Sequence, residues 1–299
     1  MRNNNLIGTG VALVTPFNDD FSIDFDSLGK LINYLIDNQI NYFVVMGTTG
    51  ESATLSLDEQ NKILNYIKRV VNNRIPLVLG VGGNNTNQIL DRISGFDFSG
   101  IEAILSVCPY YNKPSQKGLF AHYAAISQIS PVDIILYNVP SRTGLNLDPK
   151  TVALLASKYP NIVAIKEASG DVAQCMDLMN ITPDDFMIIS GDDKMTFPIM
   201  SLGGVGVISV QAMALPDIFS NMVDLILKEQ VHLAKKYHYD LLKSVDLLYI
   251  DGNPSGIKEA LSYLKICNSS QVRLPLVKMS QDNAKLLHAV LKETMHNKK

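Results

Sequence analysis

Short apolar runs alternate along the chain with longer stretches in which apolar residues recur every three or four positions. The runs lie at 11–14, 42–46, 76–79, 103–107, 133–137, 162–165, 186–189 and 205–210. Most are rich in Val and Ile and do not alternate with polar residues, as expected of parallel strands covered on both faces. Between the first two runs, residues 25–36 carry Leu28, Leu31, Ile32, Leu35 and Ile36 on one helical face. Residues 57–71 repeat that periodicity behind Ser56-x-x-Glu59, a capping signature. Further helical patterns cover about 87–98, 116–129, 149–158, 173–180, 195–202 and 216–227.

Eight strand–helix units within roughly 228 residues approach the usual size of a (β/α)8 TIM barrel, about 250 residues. A doubly wound α/β sheet requires a reversal of strand order that no feature of the sequence marks, so the count of eight favours the barrel. Helical patterns continue at 231–248, 257–264 and 283–292, with Asp251-Gly-Asn-Pro254 punctuating the first two. No low-complexity linker precedes them. The expected organisation is a barrel catalytic domain over 1–228 and a C-terminal helical region, 229–299, packed on it as an appendage.

Composition narrows the function. The chain is 46% hydrophobic and 18% charged, with 26 basic and 29 acidic residues and a net charge of -3. That profile fits a globular protein with a sizeable core, and no basic surplus or cluster points to nucleic acid or to an anionic membrane. No apolar run is long enough to span a bilayer. Gly8, Gly10 and Pro16 break the N-terminal apolar run, unlike a secretory signal. Cys108, Cys175 and Cys267 are odd in number and far apart, the pattern of reduced thiols in a cytoplasmic protein.

Barrel enzymes carry their chemistry at the C-terminal ends of the strands, and the polar residues of this chain gather after the apolar runs. They form Thr15-Pro16, Gly47-Thr-Thr-Gly-Glu51, Pro109-Tyr-Tyr-Asn112, Tyr137-Asn-Val-Pro-Ser-Arg-Thr-Gly144, Lys166-Glu167 and Gly191-Asp-Asp193. Lys166 closes an apolar run, where desolvation disfavours an ammonium and frees the amine as a nucleophile. Such an amine adds to a carbonyl, and the resulting Schiff base is an electron sink for aldol chemistry. Pairing with Asp192 or another carboxylate as structural glue is the alternative, and strand position alone does not choose between the two. Tyr137 ends the preceding run, either as a proton shuttle or as a packed ring with a satisfied hydroxyl. Thr48 and Thr49 offer hydroxyls and backbone N–H groups to a carboxylate, or serve as ordinary turn residues. Arg142 fits bidentate recognition of a substrate carboxylate, or a surface salt bridge.

Taken in order and at their spacing, Gly47-Thr-Thr-Gly-Glu51, Tyr137 to Gly144, Ile165-Lys-Glu-Ala168, Gly191-Asp-Asp193 and Gly203-Gly-Val-Gly-Val-Ile-Ser-Val210 resemble the pyruvate-dependent class I aldolases of the N-acetylneuraminate lyase superfamily. The resemblance runs from about Gly8 into the C-terminal helices, including Asn253-Pro254. It implies that Lys166 forms the Schiff base with pyruvate, that Tyr137 donates and accepts protons, and that Thr48 and Tyr111 complete the relay. It implies further that Tyr111 enters from a neighbouring subunit of a homotetramer, and that Thr49, the backbone of Ile208, and Gly191 contact substrate.

Arg142 matches an arginine that receives the carboxylate of L-aspartate 4-semialdehyde, in the branch serving diaminopimelate and lysine biosynthesis. A sialic acid or 2-keto-3-deoxy sugar acid aldolase is the rival within the superfamily; the sialic acid lyases tend to carry Ser at Thr48 and lack this arginine. A non-catalytic barrel is the reading from another class, and intact Lys166, Tyr137 and Thr48 oppose it.

Other motifs carry little. Gly80-Val-Gly-Gly83 is an incomplete dinucleotide fingerprint. His122, His232, His238, His288 and His296 lack metal-ligand spacing, and Asp192-Asp193 reads as a loop cap. No cofactor and no metal are expected. Lysine-sensitive members of the superfamily use positions matching Ser52, Ala53, Leu57, Gln60, Asn84, Gln88 and Tyr110. Leu57, Gln60 and Gln88 depart from the usual polar and acidic residues there, so weak or absent inhibition by lysine is expected.

Overall fold

Among the described residues, eight parallel strands close into a barrel in chain order, with β8 returning to pair with β1. The computed structural model describes residues 3–296. The strands are β1 (Gly8–Ala12), β2 (Tyr42–Val45), β3 (Leu77–Gly80), β4 (Ala103–Val107), β5 (Asp133–Asn138), β6 (Ile162–Glu167), β7 (Met187–Ser190) and β8 (Gly206–Ser209). The helices are α1 (Phe25–Asp37), α2 (Leu57–Val71), α3 (Thr86–Gly95), α4 (Gln116–Ile129), α5 (Pro140–Thr143) and α6 (Pro149–Lys158). They continue as α7 (Val172–Ile181), α8 (Thr196–Ser201), α9 (Pro216–Leu227), α10 (Val231–Tyr249), α11 (Ser255–Tyr263) and α12 (Gln281–His296).

Every strand falls on an apolar run, and α2, α4, α6 and α9 keep the bounds their periodicity predicts. The expected capping box of α2 is formed, Ser56 accepting from the Glu59 amide while the Glu59 carboxylate accepts from the Ser56 amide. α3 stops at Gly95, short of the predicted 98, and α12 runs from Gln281 to His296, past both predicted ends; two further differences have a residue-level reason. β1 starts at Gly8, three residues ahead of the predicted run, because its two glycines hide the strand signal. Gly10 is required inside the barrel: a Cβ there would stand 2.3 Å from ring atoms of the buried Tyr42. The second difference is α5, a single helical turn where no helical pattern is predicted. Pro140 at its first turn fixes φ without costing a needed donor, and Gly144, at φ 73°, ends it in the left-handed region.

Alternation along the strands divides the core in two. Tyr42, Val44, Ile135, Ala164, Ile189 and Ile208 point into the barrel, whereas Phe43, Val45, Ile134, Ile165 and Ile188 pack under the helices. Successive side chains of a strand face opposite ways, so Lys166, two residues after Ala164, is directed into the barrel at its C-terminal mouth. Glu167 faces the helix layer, where its carboxylate accepts from Asn138 Nδ2, Gln174 Nε2 and the Ser169 amide.

α10, α11 and α12 follow the barrel and are tied to it by buried polar bonds. Gln211 donates to the Leu241 carbonyl at 2.7 Å and to Ser244 Oγ at 2.8 Å. Lys258 pairs with Glu51, the last residue of Gly47-Thr-Thr-Gly-Glu51, with both side chains almost fully buried. Losing one partner of such a pair strands a buried charge, at a cost of about 3–5 kcal/mol. Arg273 adds a second clamp, bound to Glu59 and to the carbonyls of Phe21 and Thr54. Among the described residues no helix is long and apolar enough to cross a membrane.

Candidate active site

A cavity of about 290 Å³ opens at the C-terminal mouth of the barrel. Thr48 and Thr49 reach it from the turn after β2, Tyr137 from β5, Arg142 from α5, Lys166 from β6 and Gly191 from the end of β7. Residues 143 positions apart, Thr48 and Gly191, share one wall because each strand delivers its C-terminal end to the same rim.

Lys166 is 6% exposed and Tyr137 7%. Their Cα atoms are partners in the β5–β6 ladder. The Lys166 Nζ lies 4.4 Å from the centre of the Tyr137 ring. Among the described residues Lys166 has no carboxylate partner, so the pairing with Asp192 weighed from sequence is not made. Asp192 caps the start of the next segment instead, accepting from the Lys194 and Met195 amides. Gly191 makes room for the lysine: a Cβ there would lie 2.9 Å from Lys166 Cγ and Cε.

Thr48 and Thr49 form one turn of 3-10 helix, whose hydrogen bonds use the amides of Gly50 and Glu51. The amides of Thr48 and Thr49 make no backbone bond among the described residues. Thr49 is buried and its Oγ1 accepts from Asn253 Nδ2 at 2.9 Å. Arg142 is exposed at the rim and forms no salt bridge among the described residues, unlike the surface pair weighed from sequence. Asp193 acts as the expected loop cap. It is buried beneath the site, accepts from the Val210 and Gln211 amides and from Tyr249 Oη, and burial raises its pKa above the usual carboxylate value.

Two expected site residues do not bring their side chains to the cavity. Ile208 is buried in β8 opposite Gly10, and its side chain packs in the barrel interior without lining the cavity. Tyr111 lies on the loop after β4, 89% exposed, with φ 72°, and lines neither main cavity. Sequence reading missed the contribution of the C-terminal region: Val245, Asp246, Tyr249 and Asn253 all line the cavity. Only the Asn253-Pro254 break hinted at this, since no spacing rule connects positions 204 apart, as Asn253 and Thr49 are. Among the described residues no three His, Cys, Asp or Glu side chains come together as a metal-binding group.

Comparison with known proteins gives concordant results. The family described as the dihydrodipicolinate synthetase family matches residues 5–294. The 4-hydroxy-tetrahydrodipicolinate synthase of Flavobacterium psychrophilum is 48% identical over 287 residues, 96% of this chain and 98% of that protein. The crystal structure of dihydrodipicolinate synthase from Thermotoga maritima superposes with a TM-score of 0.94 at 36% identity, covering 97% of this chain and 98% of that one. The enzyme from Cyanidioschyzon merolae, solved with lysine bound, gives 0.93 at 33% identity, covering 97% and 99%.

Proposed function

The chain belongs to the dihydrodipicolinate synthetase family, and on that premise we propose that it condenses pyruvate with L-aspartate 4-semialdehyde to give 4-hydroxy-tetrahydrodipicolinate. This is a lyase-class aldol step of diaminopimelate and lysine biosynthesis. Lys166 Nζ attacks the keto carbon of pyruvate and water leaves, giving an iminium. Loss of a methyl proton gives the enamine, whose carbon attacks the aldehyde. The amine of the second substrate then adds to the iminium carbon and expels Lys166, closing the ring. Tyr137 moves protons on and off these intermediates, with Thr48 and Tyr111 completing the relay. Thr49 and the Ile208 backbone hold pyruvate, Gly191 contacts substrate, and Arg142 receives the carboxylate of the aldehyde.

One observation carries this reading: Lys166 is a buried amine with no carboxylate partner among the described residues, directed into a polar cavity beside a phenol. A structural lysine would be paired, because an uncompensated buried charge is costly. Arg142, at the rim of the same cavity with no salt bridge among the described residues, supports an anionic second substrate.

Tyr111 supports assembly. Its side chain is 89% exposed and follows the exposed Tyr110 in sequence, so two neighbouring aromatic residues stand at a surface that a second copy would cover. The enzyme is proposed to act as a homotetramer in the cytoplasm, with Tyr111 entering the neighbouring subunit's site.

The test is covalent trapping. Pyruvate with borohydride should inactivate the enzyme and add the reduced pyruvyl mass to the peptide containing Lys166. Label on another lysine, or inactivation with Lys166 unmodified, overturns the assignment. Equal turnover of N-acetylmannosamine and the semialdehyde would favour the sialic acid aldolase reading instead.

A further inference from the structure

The C-terminal region reaches into the site it flanks. Asn253, between α10 and α11, is 8% exposed and lines the cavity that holds Lys166. Its Nδ2 donates to Thr49 Oγ1 at 2.9 Å, while its Oδ1 is buried with no hydrogen-bond partner among the described residues. One neutral hydrogen bond returns less than a stranded buried acceptor costs. Stability therefore gives no reason for an amide at this position.

What the bond does is direct a proton. A threonine hydroxyl has one hydrogen and two lone pairs. With the Asn253 N–H on its oxygen, the Thr49 hydrogen needs a separate acceptor, and Thr49 makes no other side-chain hydrogen bond among the described residues. Thr49 lines the same cavity, so a bound anion is the acceptor within reach. Donation into the oxygen also polarises the O–H bond and makes it a better donor. The path of the turn is fixed by other contacts on either side of Thr49. Thr15 Oγ1 donates to the Gly50 carbonyl at 2.7 Å, and Glu51 is held by Lys258 and by the Arg273 amide. Asn253 is left to set the direction of a single hydroxyl.

We infer that Asn253 is a positioning residue, which turns the Thr49 hydroxyl into a fixed donor for the carboxylate of the α-keto acid bound at Lys166. The inference rests on the reading of Thr49 as a carboxylate contact. It makes the C-terminal region part of the substrate site, beyond its role in packing.

The experiment uses the full-length protein and four variants: Asn253→Ala, Asn253→Asp, Thr49→Val and the double Thr49→Val/Asn253→Ala. The readout is the pyruvate concentration giving half-maximal borohydride trapping on Lys166, with the melting temperature measured alongside. Asn253→Ala should raise that concentration about tenfold, the worth of one well-placed hydrogen bond, with little change in melting temperature. Asn253→Asp should raise it further, because a carboxylate accepts the hydroxyl's hydrogen bond and repels the keto acid. The double variant should be no worse than Thr49→Val, since both changes remove one interaction.

Wild-type half-saturation in Asn253→Ala, with Thr49→Val impaired, overturns the positioning role and spares the reading of Thr49. A Thr49→Val enzyme with wild-type half-saturation overturns both. Additive effects in the double variant show Asn253 acting independently and also overturn the inference. If Asn253→Ala does not fold, the isosteric Asn253→Asp carries the test alone, and wild-type half-saturation there overturns it.

Discussion

Lys166 and Tyr137 face each other from neighbouring strands, with the lysine Nζ 4.4 Å from the centre of the tyrosine ring. The ring contact and the phenol are separable. Tyr137→Phe keeps the π face beside the amine and removes the proton-transferring oxygen. Its kcat should fall about 10²- to 10⁴-fold, the usual worth of a positioned acid–base group, while pyruvate is still trapped on Lys166. Steady-state turnover and peptide mass together test this, and near-wild-type kcat would leave the tyrosine as packing only.

Gly191 has no positive φ, so its reason is space. Replacing it with Ala places a Cβ 2.7 Å from Ala168 Cβ and 2.9 Å from two Lys166 carbons. The lysine, held at its tip by the Tyr137 ring contact alone among the described residues, must yield. A displacement near 1 Å at a reacting group costs about 100-fold in rate, whereas overpacking costs about 1–3 kcal/mol of stability. Gly191→Ala should therefore fold and lose most of its turnover. Kinetics beside a thermal melt decide it, and full activity would show that the lysine has room to spare.

Among the described residues the Arg142 side chain makes no hydrogen bond or salt bridge, so its removal should register only when the second substrate binds. Arg142→Ala should lose on the order of 2–4 kcal/mol in kcat/KM for aspartate semialdehyde, the loss of a charged bidentate contact. Half-saturation of pyruvate trapping should stay within about twofold of wild type. Equal damage to both substrates would move Arg142 out of the second-substrate role.

Inhibition by lysine should be weak or absent. Leu57 begins α2 with its side chain in solvent, and Gln88 on α3 offers a neutral amide. Gln60 is already committed, donating to the Ser52 and Leu55 carbonyls and accepting from Arg92. Arg92 itself adds positive charge to the cavity lined by Ser52, Ala53 and Tyr110, while Glu51 there is neutralised by Lys258. A missing charged hydrogen bond, worth roughly 1.5–3 kcal/mol, weakens binding about ten- to a hundredfold. Titration of the purified enzyme with lysine is the check, and half-inhibition well below millimolar would refute this account.

Stability should fall on mild acidification through His122. The ring is buried on α4, with Nδ1 bonded to Thr86 Oγ1 and Nε2 without a hydrogen-bond partner among the described residues, and burial pushes its pKa down to about 4 from 6.5. The folded state thus resists a proton that the unfolded chain accepts between those values. The unfolded form binds more protons across that window, so stability is complete above about pH 6.5 and is lost as pH falls toward 4. The loss is on the order of 2–3 kcal/mol. His122→Gln should flatten the melting temperature between pH 6.5 and 4 relative to wild type. An unchanged slope would assign the pH dependence to other groups.

The sequence by itself determined the barrel. Eight apolar runs, most without polar alternation, separated by amphipathic helices admit few other arrangements, because such runs need cover on both faces and each helix needs it on one. It also placed Lys166, Tyr137, Thr48, Thr49, Arg142 and Gly191 on one rim, since the C-terminal ends of barrel strands converge whatever lies between them. Local rules did less well at β1, where Gly8 and Gly10 mask a strand, and at α5, whose single turn is too short for periodicity to register.

Only the tertiary structure decided whom each side chain meets. That Lys166 has no carboxylate partner among the described residues depends on the packing of the barrel mouth, and that Glu51 spends its charge on Lys258 and Asn253 crosses 204 residues to reach Thr49 depends on how the C-terminal helices settle on the barrel. Propensity and periodicity act over a few residues, whereas these contacts are fixed by the packing of surfaces that the chain brings together only once it has folded.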